Sequence, residues 1–195
     1  DGSRYYEKRD WFETLDTSGG AVLIVLGEKK ATKPTPHEVL VTSLEWALDL
    51  AYTSHRPDLP EHVSGLAAYP AWANALEVDA DYPANNPSVM DIRTMVYGDQ
   101  CVMLEERREA ARFLRQMKAV ALREANQLEA TARLYDKVAD WGTLLWPWPI
   151  EPKAGAQQGL ADRQTRRALA DYVRAAGEQE NQAVASLEKV WLAVR

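Results

Sequence analysis

The rhythm of apolar and polar positions changes once, near residue 30. Before that point the pattern is that of strands. Tyr5 to Phe12 has aromatic ends and reads as a strand, and Thr17-Ser18-Gly19-Gly20 is a turn signal. Ala21-Val22-Leu23-Ile24-Val25-Leu26 is an unbroken apolar run closed by Gly27. A run without alternation predicts a strand buried on both faces. One or two strands do not make an independently stable sheet. Either helices cover this run, or the sheet it belongs to lies mostly outside the chain.

Beyond residue 30 the period becomes helical. Thr35 is placed to N-cap, Pro36 takes the first helical position, and Glu38 completes a capping box. Leu40, Leu44, Ala47, Leu48 and Ala51 follow at helical spacing, predicting a helix that ends near Thr53. A polar loop with Pro57 and Pro60 comes next. A shorter helical stretch covers Ser64 to Val78, with Pro70 set to kink or restart it. Asn86-Pro87 opens a long helix reaching Lys118, and another runs from Val120 to Leu145, where Trp146-Pro147-Trp148-Pro149 stops it. A Gly/Gln/Pro loop, Glu151 to Gly159, leads to a last helix over Ala161 to Val194. The expected fold is mainly α, about five helices in an orthogonal or bundle-like array with a short N-terminal β segment of one or two strands. The corresponding division is a β segment over 1–30 and a helical domain over 31–195.

Two helical stripes carry carboxylates at core spacing. In the long helix the stripe is Val89, Ile92, Val96, Met103, Ala110, Phe113 and Met117, with Asp99 and Glu106 in the same series. In the last helix it is Leu169, Val173, Ala176, Ala183, Leu187, Val190 and Val194, interrupted by Glu180. A carboxylate on a core stripe is costly unless a base, a metal or a ligand meets it. Arg107, Arg108 or a helix-edge arginine could supply the base, or the section could turn outward. The functional alternative is an acidic pocket for a cationic group or a metal. No Glu-x-x-His pair stands on any helix, which argues against a di-iron site.

Composition narrows the function. The 195 residues carry 23 basic and 29 acidic side chains, net −6, so no clustered basic surface for nucleic acid is expected. No apolar run approaches the roughly 20 residues of a membrane span. This points to a cytoplasmic location. The single cysteine, Cys101, excludes an internal disulfide, and it lies mid-helix, away from any activating base. His55 and His62 flank a proline-bearing loop, beside Asp58 and Glu61, at a spacing that fits no metal-ligand pattern; a metal-dependent hydrolase using them is the weakest alternative, and no metal or other cofactor is expected. No nucleophile elbow, phosphate loop or dinucleotide fingerprint is present, so the chain shows no catalytic constellation of its own. Seven Trp and eight Tyr stand against two Phe. They gather at Tyr69 with Trp72, and at Trp141, Trp146 and Trp148. Such rings serve as core plugs or helix-end anchors. They also form ligand surfaces, since one edge packs and the other meets a polar partner.

Gly65-Leu66-Ala67-Ala68-Tyr69-Pro70-Ala71-Trp72-Ala73-Asn74-Ala75-Leu76 resembles a G-L-x-A-Y-x-A-W-x-x-x-L segment of a bacterial family related to butirosin-type acyltransferases and papain-like cysteine peptidases. Gly20 to Ala51, Glu106 to Leu114, and Leu134-Tyr135 to Leu145-Trp146 fit the same family in the same order. The resemblance covers the chain from about Gly20 onward, and its motifs are helical and soft. Pro70 departs from it, standing where a helix former is expected, and Cys101 is at no motif position. The resemblance implies a papain-like half upstream that carries the nucleophilic cysteine and its histidine. Residues 1–12 would be the tail of that half, and strand 21–26 would join its sheet or that of a partner chain. The present chain would then be the helical cap or substrate-recognition domain. Its expected ligand site uses Tyr69, Trp72, Asp99, Glu106, Trp146, Trp148 and Glu180, and its expected ligand is a small cationic or amphipathic molecule. The alternative is a non-enzymatic helical module that binds a small molecule or a partner through the same aromatic, acidic pocket.

Overall fold

The structure is a computed structural model that describes residues 32–57, 59–148 and 154–195. The chain divides into Asp1–Lys33 and Pro34–Arg195, and the elements below belong to the second unit. The expected β segment, with its strand at 21–26, lies outside the described residues.

The described part is mainly helical, as the apolar spacing predicts. Helix α1 spans Pro36–Tyr52 and begins on the expected capping box. The Glu38 amide donates to Thr35 Oγ1 at 3.2 Å, and the Thr35 amide donates to Glu38 Oε2 at 2.7 Å. Its inner face, Leu40, Leu44 and Leu48, is buried, each side chain contributing about 2 kcal/mol by leaving water.

The next segment departs from expectation. In place of a loop, His55–Arg56 (β1) pairs antiparallel with Leu59–Val63 (β2), His55 opposite Val63. Pro60 argues against a strand in sequence, but an edge strand of a two-stranded ribbon tolerates a missing donor. Gly65 then turns the chain at φ +57°, with its α-carbon pressed on the Ala51 carbonyl where no side chain fits. Helix α2, Ala68–Leu76, follows directly.

The helix expected from Asn86 to Lys118 is two helices. Helix α3 covers Pro87–Glu105 and α4 covers Arg107–Met117, joined through Glu106. Neither glycine nor proline marks the break. Helix α5 begins at Ala125, later than expected, and ends at Leu145, ahead of Trp146-Pro147 as the sequence predicts. The Gly/Gln stretch forms a short helix α6, Ala154–Ala161. The last helix, α7, covers Arg163–Val194, capped by Asp162, whose carboxylate accepts from the Thr165 amide at 2.7 Å.

Helix α7 is the central element and packs on α5, α2, α1 and α6. Its predicted stripe is buried throughout, from Leu169 to Val194. Gly177 allows close approach of α2, since a β-carbon there would lie 2.7 Å from Tyr69 Cβ. The predicted stripe of α3 is corrected. Met90, Thr94, Tyr97, Cys101 and Leu104 face the core, while Ile92, Val96 and Met103 are exposed. Gly142 of α5 explains the choice, because a β-carbon there would lie 2.6 Å from the Cys101 carbonyl oxygen. The backbone of α3 is thereby pressed onto α5 along its Tyr97–Leu104 face. Among the described residues no helix is long and apolar enough to cross a membrane.

Candidate functional site

Helices α1, α2, α3, α4 and α7 leave an unfilled volume between them, a cavity of about 680 Å3. That size lies within the range of about 300–1,000 Å3 usual for small-molecule sites. The walls are mostly apolar: Leu44 and Ala47 from α1, Trp72 from α2, Phe113 and Leu114 from α4, Leu187 from α7. Leu50, Val63 and Met103 line it too and are exposed, so they mark its rim.

One polar cluster interrupts this lining. Glu180 sits on the buried stripe of α7 with its side chain only 8% exposed. Arg107 Nε donates to both of its oxygens, at 3.0 and 3.2 Å, and the Tyr69 hydroxyl donates to Oε2 at 3.2 Å. The pairing of a stripe carboxylate with Arg107 is the bland reading of the sequence, and it holds for Glu180. Arg107 Nη1 also donates to the Met103 carbonyl at 3.3 Å, so the same side chain closes the end of α3. Burial works against the Arg107 charge, but the Glu180 carboxylate more than offsets it and raises the guanidinium pKa. Burial, then the neighbouring Glu180 charge, pushes the Tyr69 and Tyr135 phenols far above the ordinary tyrosine range. Both remain protonated donors at any physiological pH.

The residues singled out in sequence separate into three places. Tyr69, Trp72 and Glu180 come together at the cavity. Trp146 and Trp148 lie behind it in an aromatic stack around buried Tyr97. The Tyr97 ring is 5.6 Å from Trp72, 6.2 Å from Trp146 and 6.0 Å from Trp148. The Tyr97 hydroxyl donates to the Leu145 carbonyl at 2.7 Å, and Gly98 lies 3.1 Å, at an added β-carbon, from the Trp146 ring. The two tryptophans thus anchor the end of α5, and Trp72 is shared between that anchor and the cavity wall. Asp99 and Glu106 are exposed and do not line the cavity. Asp99 lies on the outward face of α3 and Glu106 at the junction of α3 and α4, the other outcome the sequence allows for a carboxylate at core spacing.

Cys101 is buried against α5, and burial pushes its thiol up to about 12. It is a packing residue with no thiolate at neutral pH. His55 and His62 stand exposed on the two strands of the ribbon, and among the described residues no three of His, Cys, Asp and Glu gather to hold a metal ion. Sequence reasoning missed several polar groups at the cavity, among them Gln100, Tyr135 and the free edge of Arg107. A helical register with Gln100, Met103 and Arg107 on one face was available in the sequence, but the competing apolar stripe masked it. No protein-family model, curated protein or solved structure matches the chain.

Proposed function

We propose that the helical unit binds a small, largely apolar molecule in the cavity between α1, α2, α3, α4 and α7. We further propose that it does so as the substrate-recognition or cap domain of a protein related to papain-like thiol hydrolases and acyltransferases. The cavity carries the first part: a space of about 680 Å3 walled by apolar side chains, with one convergent polar cluster, has the make-up of a ligand site. The second part rests on the resemblance of Gly65 to Leu76 and on one feature of the surface. Ile92, Met95, Val96, Val102 and Met103 of α3 are all exposed, and such an apolar strip suits a domain that meets a further unit. In this reading strand 21–26 belongs to the sheet of the upstream half. The alternative, a self-standing binding module, keeps the cavity and dispenses with that half.

Filling the cavity tests the binding. The neutral apolar dye Nile red is expected to brighten on the wild-type protein with one-to-one stoichiometry. Ala47→Trp, which projects a ring into the space beside Leu44, is expected to abolish the signal while the far-UV circular dichroism stays native. Dye binding that survives Ala47→Trp in a folded protein removes this assignment. The coding sequence ahead of Asp1 separates the two contexts, since a start codon within a few residues, with no cysteine-bearing half before it, leaves the self-standing module.

A further inference from the structure

The polar groups of the cavity are unequal, and the inequality selects a ligand. Both oxygens of Glu180 are engaged, by Arg107 Nε and by the Tyr69 hydroxyl. Two further hydroxyls at that wall are committed as donors to the backbone: Thr53 to the Asp49 carbonyl at 2.7 Å, Ser64 to the Thr53 carbonyl at 2.7 Å. The groups left over among the described residues can all donate, and the Arg107 nitrogen can do nothing else. Arg107 Nη2 has no partner there, nor do the Tyr135 hydroxyl and the Gln100 amide, and all three residues line the cavity. These groups are open to solvent in the free protein, and a ligand that displaces that solvent must offer them an acceptor.

Charge then decides between acceptors. Arg107 and Glu180 form an ion pair at 3.0 Å, so the cluster is neutral as it stands. An ammonium ligand would meet the guanidinium and find no free carboxylate. A carboxylate ligand would bring a second negative charge beside Glu180, with one cation between two anions in a poorly solvated site. A carbonyl oxygen avoids both costs and still accepts from Arg107 and Tyr135.

We propose that the ligand is an uncharged, apolar molecule carrying a carbonyl oxygen (a ketone, ester or amide) at one end, with that oxygen at Arg107 and Tyr135 and the apolar body along Trp72 and Phe113. This rests on the binding function proposed above and gives it a substrate class. It also reverses the cationic ligand expected from the sequence, because the stripe carboxylate that suggested a cation is already neutralised.

Three ten-carbon probes of equal reach test it on the full chain: 2-decanone, decanoate and decylamine, titrated by calorimetry and by tryptophan fluorescence. The ketone is expected to bind at least tenfold more tightly than either ion. Tyr135→Phe, which keeps the ring and loses the donor, is expected to weaken the ketone about threefold to tenfold. The double variant Arg107→Met with Glu180→Leu, which leaves no buried charge unpaired, is expected to weaken it tenfold or more with the fold retained by circular dichroism. Tightest binding by decylamine or by decanoate, or a ketone affinity untouched in both variants, overturns the ligand class and leaves the binding function standing. If none of the three probes binds, the binding function itself fails, and the ligand class with it.

Discussion

Two arginines are drawn into this helical unit, and their surroundings differ in one respect that separates architecture from function. Arg166, in the first turns of α7, is 2% exposed. Its Nε donates to the Leu76 carbonyl at 2.9 Å, its Nη1 to the Leu160 and Ala161 carbonyls at 2.9 and 3.0 Å, and its Nη2 to Asp79 at 2.5 Å. The guanidinium plane lies 4.7 Å from the Tyr82 ring centre. Each nitrogen has a protein partner, and three of those partners are carbonyls that the ends of α2 and α6 leave unpaired. Arg107 has the same chemistry but a side chain 36% exposed, and one edge faces the cavity unmatched. A guanidinium satisfied on every nitrogen fastens helix ends. One satisfied on part of its fork keeps hydrogen-bonding capacity in reserve for something that is not the protein.

The comparison predicts unequal costs. Arg166→Met strands the carbonyls of Leu76, Leu160 and Ala161, and is expected to cost about 3–5 kcal/mol. Urea unfolding followed by circular dichroism measures this, and the variant protein that remains folded is expected to bind ligand as wild type does. A cost below about 1 kcal/mol would show that solvent replaces the guanidinium freely and would dissolve the distinction between the two sites.

Arg107 answers differently to the same change. Arg107→Met leaves Glu180 buried with only the Tyr69 hydroxyl as partner. The expected cost is about 2–3 kcal/mol, less than at Arg166 because this side chain is partly solvated. Adding Glu180→Leu is expected to return most of it, since the second change removes the uncompensated charge. No single second change is expected to rescue Arg166→Met, because three of its four partners are backbone carbonyls. Failure of Glu180→Leu to recover stability in a double-mutant cycle would mean that Arg107 also acts as a structural fastener, through the Met103 carbonyl.

How far these sites were legible in sequence follows from where their partners lie. Helix α7 was legible because its apolar residues form one stripe, and Glu180 stood out as the exception on that stripe; its cap at Asp162 was not read in the sequence. Arg107 was legible as a partner for such a carboxylate, though not as a cavity residue. Helix α3 was not legible, because it carries two apolar stripes. Val89, Ile92, Val96 and Met103 compete with Met90, Tyr97, Cys101 and Leu104, and periodicity alone does not rank them. Contacts distant in sequence did so: Gly142 against the Cys101 backbone, and the Tyr97 hydroxyl on the Leu145 carbonyl. The role of Arg166 was invisible for the same reason, since the Leu76 carbonyl is 90 residues away along the chain. The tryptophans at 146 and 148 were legible as an aromatic concentration, but their assignment to the Tyr97 stack needed the position of α3.

The smallest expected effect sharpens the comparison from the other side. Asp99 and Glu106 share the helical spacing that singled out Glu180, yet Asp99 lies on the solvent face of α3 and Glu106 is exposed at the α3–α4 junction. If charge on a helix stripe were itself the signal of a site, removing these two would matter as much as removing Glu180. Both are exposed to solvent, and no arginine pairs with either among the described residues. Asp99→Asn and Glu106→Gln, singly or together, are therefore expected to change stability by no more than about 0.5 kcal/mol and to leave probe affinity unchanged. A shift in 2-decanone affinity on Asp99→Asn would place the ligand's apolar body across the outer face of α3 instead of inside the cavity. Glu180 differs from its two look-alikes in what surrounds it, so burial with a partly engaged arginine, and not the carboxylate itself, is what singles out the proposed site.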